Sequence, residues 1–537
     1  MVQQNWILDA YGRDPQFGPK RGPSRDNPRR RFSVESQGIY ETYDAGVHPG
    51  DQSLLGRVLQ QLYSLRRLFP SIREHRGRYK PLAPVLKQPR YCRRFRSRLL
   101  YYALVFLSFL LVIVLFTSVF YPSYTRLPPH YSSLRDLALK SNQTGRANLR
   151  NEQVFIASSL YDPSGEIARG HWGSSILQLI DLLGEDNVFL SIYENDSGDE
   201  GKAALERLDG QIPCNKSIVY EHLDLDELPK VTIPGGAERV KRITYLAETR
   251  NRALRPLDEP ATRFDKLLYL NDVAFDPIDA LQLLFSTNVD DNGIPQYRAA
   301  CAVDFDNPFK FYDTYATRDL EGYSMGLPFF PWFSDAGSGQ SRRDVLAGKD
   351  AVPVRSCWGG MVAFDAQFFQ SHNKINTSVA VAGESLPARF RALQDPNIFW
   401  DASECCLIHA DIQIPWRVGD NVTETGIYMN PFVRVAYDTR TLSWLWTTRR
   451  FEKLYSIIHN IGDHLVGLPW FNPRLREAPR QSVQETVFVT DGKNTSLQTV
   501  ERIARHDGFC GRLGLQVVPL QREKGHKGWQ NVQMPRS

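Results

Sequence analysis

The sequence predicts an α/β domain built on a largely parallel sheet, behind a single membrane-spanning helix. Three observations predict this fold class. Between about Asn151 and about Trp470, apolar runs of strand length alternate with segments of helical periodicity, the order produced when helices cross over between parallel strands. Acidic residues directly follow three of those strand-like runs, at Glu194-Asn195-Asp196, Asn271-Asp272 and Asp304-Phe305-Asp306. Upstream, residues 99–121 (LLYYALVFLSFLLVIVLFTSVFY) form one apolar stretch, with no charged residue between Arg98 and Arg126.

Taken as a helix, that stretch is about 35 Å long, enough to cross a hydrocarbon core with some tilt. It has no polar face to present to solvent. Its flank, Arg90–Arg98, carries five arginines and no acid. Residues 1–98 hold 20 Lys+Arg against 8 Asp+Glu, a net +12, and the remaining 439 hold 45 against 52, a net −7. The basic side is predicted to stay in the cytoplasm, giving a type II protein whose large C-terminal part is lumenal. All six N-x-[ST] triplets, at Asn142, Asn195, Asn215, Asn376, Asn421 and Asn494, lie on that side. So do six of the seven cysteines, Cys214, Cys301, Cys357, Cys405, Cys406 and Cys510, and the sequence does not choose among their pairings. Cys92 stands alone in the basic flank. The overall net charge of +5 belongs to a Pro-, Gly- and Arg-rich tail (for example Gly18–Phe32), expected to be disordered beside anionic lipid, and makes no case for nucleic acid.

In chain order, residues 1–98 read as that cytoplasmic tail, 99–121 as the signal anchor, and 122–150, with Pro122, Pro128 and Pro129, as a lumenal stem. The catalytic candidate, 151–475, opens with the strand VFIASSLY (Val154–Tyr161). A helix follows around His171–Gly184, apolar at helical spacing and closed by a glycine. A second strand, Asn187–Asp196, runs into a turn rich in Asp, Ser and Gly. Helices over Gly201–Gly210 and Glu238–Leu254 precede a strand over Asp265–Phe275. Residues 476–537 read as a C-terminal extension with one good strand, Glu485–Thr490, and little further information.

Open α/β sheets bind ligands in the crevice beyond the carboxyl ends of their strands, where the three acidic clusters fall. Carboxylates there are hard oxygen ligands for Mg2+ or Mn2+, and such a cation offsets the charge of a departing nucleoside diphosphate. One acidic pair at a strand end is as often a turn or a cap, so order and spacing carry the case. The acidic turn after the second strand is followed by Arg250-Asn251-Arg252-Ala253-Leu254 on a helix. The strand ending in Leu270-Asn271-Asp272 comes about twenty residues later.

That succession resembles the nucleotide-sugar-dependent glycosyltransferases of the GT-A type. In these an acidic turn receives the nucleoside, an R-N-x-A-L helix lies under the diphosphate, and the next strand ends in a metal-binding D-x-D. Asn271 departs from that pattern and leaves Asp272 as the carboxylate there. Longer strings sharpen the likeness: LSIYENDSGD (190–199), RITYLAETRNRALRPL (242–257), KLLYLNDVAF (266–275), ACAVDFDNPFKFYDTYATRDLEGY (300–323) and SCWGGMVAFDAQFF (356–369). Together they are similar to the fungal capsule-associated α-1,3-mannosyltransferase family, over roughly residues 154–415.

The resemblance implies a GT-A-like, Rossmann-type nucleotide-sugar-binding domain with GDP-mannose as donor and Mn2+ (or Mg2+) as cofactor. It implies transfer to a mannose hydroxyl of a glycan acceptor by a single-pass type II Golgi membrane protein. Residue by residue, it implies Glu194 and Asp196 at the nucleoside, Arg250 and Asn251 at the diphosphate, and Asn271 with the donor. Asp272 would hold the metal, Asp304 and Asp306 would lie at the metal or donor sugar, and His409 would be a late metal ligand, the residue by itself reading equally as a satisfied core histidine. Trp358-Gly359-Gly360 reads either as a sugar-facing loop, its glycines permitting close backbone approach and its indole stacking on a pyranose, or as a tight turn beside a core Trp.

The resemblance also implies retention of configuration, which needs no obligatory base. Arg250 and the metal would stabilise the diphosphate, while Glu404, in Ser403-Glu404-Cys405 ahead of His409 and Asp411, would orient the acceptor or shield positive charge at the anomeric carbon. Asn195 falls inside the nucleoside turn, so its triplet is expected to stay unglycosylated. Two other readings stay open: a transferase using UDP-xylose or UDP-glucuronic acid, and a non-catalytic, membrane-tethered polysaccharide-binding or export factor, which Asn271 keeps in play.

Overall fold

Helix α1 (Arg90–Phe120) carries the apolar stretch, and over Arg98–Phe120 it is long and apolar enough to cross a membrane, with almost every side chain exposed. This computed structural model describes residues 90–258, 263–370, 386–415, 422–491, 494–519 and 528–535. Most of the expected cytoplasmic tail and the triplets at Asn376 and Asn421 lie outside the described residues.

After α1 the segment read as a stem, residues 122–150, is tied to the domain by hydrogen bonds and buried side chains. The Ser123 N–H donates to the Arg449 carbonyl at 2.8 Å, and the Tyr124 hydroxyl donates to the Val345 carbonyl at 2.9 Å. Helix α2 (Pro129–Lys140) packs on a later helix, and its fully buried Tyr131 hydroxyl accepts from Asn430 Nδ2 at 2.6 Å. A few aromatic and alanine side chains, Tyr124, Tyr131, Ala138 and Ala147, suffice to fold this mostly polar segment onto the domain.

The domain starts with β1 (Val154–Leu160), a helical turn α3 (Glu166–Arg169), α4 (His171–Leu183), β2 (Val188–Glu194), α5 (Gly198–Asp209) and β3 (Asn215–Tyr220). β1 is buried along almost its whole length, Ser158 included, because both of its faces are covered, as in parallel sheets. A small ribbon of β4 (Lys230–Thr232) and β5 (Glu238–Val240) comes next, then α6 (Arg242–Leu254). The helix expected from Glu238 begins only at Arg242, because Glu238–Val240 pairs with β4 instead. β6 (Lys266–Leu270), α7 (Pro277–Ser286), β7 (Ala299–Asn307), β8 (Lys310–Phe311), α8 (Gln340–Ala347), β9 (Val352–Pro353) and β10 (Met361–Asp365) follow. The remaining elements are β11 (Trp400–Ala402), α9 (Glu404–Ile412), β12 (Ile427–Ala436), α10 (Thr439–Thr448) and α11 (Ser456–Val466).

Among the described residues the main sheet has the order β3-β2-β1-β6-β10-β7-β12-β9, with β8 on β7. β3, β2, β1 and β6 are mutually parallel, β10 runs antiparallel between β6 and β7, and β12 is parallel to β7. The order reverses beside β1: β2 and β3 lie on one side and β6 on the other. The crevice between β1 and β6 is thus a topological switch point.

The C-terminal residues do not form a separate extension beyond 475. The hairpin of β13 (Ser482–Asp491) and β14 (Asn494–Ile503) leads to β15 (Gly511–Leu513), which pairs with β11, and to β16 (Gln516–Val517) with β17 (Gln530–Asn531). A Cys406–Cys510 disulfide and hydrogen bonds from Arg318 to the Phe509 and Cys510 carbonyls, at 3.1 and 2.8 Å, tie this part to the domain. A second disulfide joins Cys301 and Cys357, while Cys214 and Cys405 are buried free thiols.

Candidate active site

The carboxyl ends of β2, β6, β7 and β12 bring together the residues that the sequence singled out. In the turn after β2, Glu194 is buried and its Oε1 accepts the Ser197 N–H at 2.6 Å. The Ser197 hydroxyl in turn accepts the Asp162 N–H at 2.7 Å, so the turns after β1 and β2 are stitched together. Asn195 is buried too, donating to the Tyr245 hydroxyl and accepting the Leu223 N–H at 2.9 Å. Asp196 has a left-handed backbone (φ +64°) and turns its carboxylate outward, 2.8 Å from His222 Nδ1. Of the three, Asp196 offers the group that a ligand can reach.

The charges of the acids after β6 and β7 are all felt at one phenol, that of Tyr312. Tyr312 is buried, and after burial itself the charges of Asp304, Asp272 and Asp306 are what push its hydroxyl well above the ordinary tyrosine range. The three differ in access. Asp272 is half-buried, and Asp306 is half-exposed with Lys310 at 3.2 Å. Asp304 is fully buried: Oδ1 accepts the Asp313 N–H and Oδ2 accepts the Tyr437 hydroxyl, each at 3.1 Å. Burial, with the charge of Asp313, holds the Asp304 carboxyl well above the usual carboxylate range. Asp304 is therefore corrected from metal ligand to a closed structural acid, since both of its oxygens are engaged out of reach of solvent.

Behind these acids lies a second layer centred on Arg250. Its Nε donates to Glu404 Oε1 at 3.0 Å and its Nη1 to Asn271 Oδ1 at 3.1 Å, while its guanidinium stands 4.5 Å from the Trp358 ring and 5.2 Å from that of Tyr269. Asn251, next in the helix, exchanges two 2.8 Å hydrogen bonds with the backbone of Phe390, whose ring closes the same cage. The Asn271 N–H donates to the Gly360 carbonyl at 2.9 Å.

Several residues consequently stand elsewhere than expected. Trp358 is fully buried, so it stacks on Arg250 and not on a pyranose. Gly359 and Gly360, both at positive φ, are required by packing: a Cβ on Gly359 would meet the Ala302 carbonyl oxygen at 1.9 Å, and one on Gly360 would meet Val273 at 2.7 Å. Glu404, in the first turn of α9, is buried against Arg250. Arg250 and Asn251 likewise brace the site from within, where the resemblance had placed them against a diphosphate.

His409 is corrected as a metal ligand. It is fully buried, with Nδ1 2.7 Å from the Cys405 carbonyl, its ring stacked on Phe364, and Nε2 beside Cys301. Cys301 and Cys357 do cluster with His409, but their disulfide leaves no thiolate for a metal. Burial lowers the imidazole to about 4, as a satisfied core histidine requires.

The family model described as cryptococcal mannosyltransferase 1 matches residues 153–411. Residues 153–411 of this chain belong to the cryptococcal mannosyltransferase 1 family. Every residue of the Tyr312 and Arg250 clusters except Tyr437 falls within the span of this mannosyltransferase match. No curated protein matches the chain. Among solved structures, mannosyltransferase PcManGT from Pyrobaculum calidifontis in complex with GDP-Man and Mn2+ is similar at 12% identity and a TM-score of 0.30. That alignment covers 65% of this chain and 72% of the other, and at that TM-score the likeness carries no argument.

Sequence reading of this mannosyltransferase-family chain missed three residues at the site. Tyr312 and Tyr437, with rings 4.2 Å apart, lie in or beyond the strings quoted for the resemblance and carry no charge to draw notice. Arg242, at the start of α6, is buried beneath Trp529 at 4.3 Å and bonds Gln516, yet its Nη2 has no hydrogen-bond partner among the described residues. Its charge is felt at Tyr312. The one available signal was that Arg242 opens the R-N-x-A-L helix.

Proposed function

We propose that this chain transfers mannose from GDP-mannose to a mannose hydroxyl of a glycan acceptor, in α-1,3 linkage and with retention. In this reading it is a GT-A-type enzyme anchored in the Golgi membrane by α1, with its N-terminal side cytoplasmic and its catalytic domain lumenal. The observation that carries the reading is the pair of partly exposed acids, Asp272 just after β6 and Asp306 at the end of β7, on parallel strands within residues 153–411, which match a mannosyltransferase family.

The residues present fit a hard divalent cation. Asp272 and Asp306 are accessible carboxylates, and diphosphate oxygens and water would complete the shell. Bound there, Mn2+ (or Mg2+) supplies positive charge opposite the departing diphosphate. The chain's own part is positioning. Asp196 and the stitched turns after β1 and β2 receive the nucleoside. Arg242, with its spare Nη2, meets the diphosphate. The Arg250 layer, through Asn271 and Gly360, holds the backbone that presents Asp272. Tyr312 and Tyr437 close the floor over the buried Asp304. With retention, the acceptor hydroxyl passes its proton to the departing phosphate oxygen on the same face of the sugar, so no buried base is needed.

The test is a donor screen of the full-length protein in detergent or nanodiscs with mannose-terminated acceptors. GDP-mannose, UDP-xylose and UDP-glucuronic acid are compared with and without EDTA, and product linkage is read by NMR. GDP-mannose turnover that EDTA abolishes and Mn2+ restores is expected, with an α-1,3 product. Turnover of a UDP-sugar in its place, or GDP binding without turnover, would refute the proposal.

A further inference from the structure

Helix α11 is amphipathic the wrong way round for a domain bathed in water. His459 and Asp463, one turn apart, are buried: their side chains pair at 3.0 Å, His459 Nε2 lies 3.0 Å from the Leu327 carbonyl, and Asp463 Oδ1 accepts the Leu327 N–H at 2.6 Å. Arg342 Nη1 adds a 2.9 Å contact to His459. The opposite face carries Ile457, Ile458, Ile461 and Leu465, all between 61% and 81% exposed. Polar groups thus hold the helix to the protein, and its aliphatic face points away.

The patch continues on both sides of α11. Trp470 and Phe471 follow the helix, exposed. Before it, Tyr455 packs with Phe329 and Phe309, at ring distances of 6.2 and 6.3 Å, both of these partly exposed. Trp444 and Trp446 on α10 are half-exposed, with the Arg450 guanidinium 5.6 Å from the Trp446 ring. Contiguous exposed apolar surface of this extent marks an interaction site. Tryptophans flanked by arginine on a one-faced helix are what a membrane–water interface selects.

The occupant is set by where α1 ends. The last turns of α1 pack against Glu452–Tyr455, immediately before α11, and Thr117 near the end of α1 is buried there. The chain is pinned three residues after α1 by the Ser123 N–H to the Arg449 carbonyl, and Arg449 Nη1 donates back to the Tyr124 carbonyl at 3.1 Å. The apolar patch therefore adjoins the point where α1 leaves the bilayer.

We infer that α11, with Trp444, Trp446, Trp470 and Phe471, is a second membrane contact that seats the domain on the leaflet from which α1 emerges. The inference rests on reading α1 as a span, but the two can fail separately.

The test uses the full-length protein in lipid vesicles, in a Cys92→Ser background. Nitroxides are placed by Ile458→Cys, Ile461→Cys and Leu465→Cys, and by Val219→Cys on β3, at the far edge of the sheet from β12. Accessibility to oxygen is compared with that to a water-soluble nickel chelate, and alkaline carbonate extraction of the same vesicles reports on the span. Several-fold greater oxygen than nickel accessibility at the α11 sites, reversed at Val219, is expected. Labels on α11 that behave like Val219 while the protein resists carbonate would overturn this inference and leave the span standing. Lipid-shielded α11 labels on carbonate-extractable protein would uphold the surface contact and remove the span. Dipolar broadening between copies without oxygen preference would assign the patch to a second copy and overturn the inference.

Discussion

Arg250 and Glu404, 154 residues apart in sequence, form an ion pair at 3.0 Å with side chains only 4% and 3% exposed. Removing one partner strands the other's charge in an aromatic cage, at a cost of roughly 3–5 kcal/mol, whereas replacing both with apolar groups costs far less. Arg250→Met and Glu404→Leu should each lower the urea midpoint strongly, and the double variant should recover most of that loss. Turnover should stay impaired in the double variant, because Asn271 has lost its donor. Additive stability losses would show that the pair is not coupled.

Asp272 and His409 were both candidate ligands, and the structure separates them. Asp272→Asn should reduce Mn2+-dependent turnover by about 10²–10³-fold, with little change in melting temperature. His409→Leu should keep the same Mn2+ concentration dependence, since its imidazole is spent on the Cys405 carbonyl. A weakened apparent affinity for Mn2+ in the His409 variant would restore it to the metal set.

Asn195 should carry no glycan although its triplet is intact, because its amide is buried between Tyr245 and the Leu223 N–H. Asn142, Asn215 and Asn494 are exposed and should be modified if the domain is lumenal. Glycopeptide mapping of protein from a secretory host decides both points. Occupancy at Asn195 would remove the β2 turn from the nucleoside site.

Two buried groups make stability depend on pH in opposite senses. Burial raises Asp319 to about 7, so the folded state holds a proton that the unfolded chain releases; this contribution is complete below about 4 and is lost as pH rises to about 7. His409, lowered to about 4, works the other way: its contribution is present above about 6.5 and is lost as pH falls to about 4. Asp319→Asn keeps the acceptor for the Glu321 and Tyr323 N–H groups and should remove the loss between pH 4 and 7, roughly 4 kcal/mol as an upper bound. Urea midpoints across that range, for wild type and both variants, test the signs. Parallel curves for wild type and Asp319→Asn would show that Asp319 does not titrate there.

The Cys406–Cys510 bridge closes a long loop, with a sequence separation of 104, and its loss should cost about 2–4 kcal/mol. The Cys406→Ala/Cys510→Ala variant should also expose β15 and its partner β11 to hydrogen exchange ahead of the main sheet. Unchanged protection there would mean that the Arg318 bonds to Phe509 and Cys510 suffice.

Local pattern decided a good deal. The apolar run of 99–121, the strands near Val154, Val188 and Lys266, the helix under Arg250 and the acids at the strand ends were all legible, because each depends on periodicity or on residue type within a few positions. What no local pattern contains is which side of a residue meets solvent. Only the packing of distant segments buried Trp358, Glu404, Asp304 and His409, left Asp272 and Asp306 accessible, folded residues 122–150 onto the domain, and turned the isoleucines of α11 outward. An aspartate open to solvent and one sealed in the core have the same side chain. Their difference is the dielectric and the hydrogen-bond donors around them, and those are supplied by residues tens to hundreds of positions away.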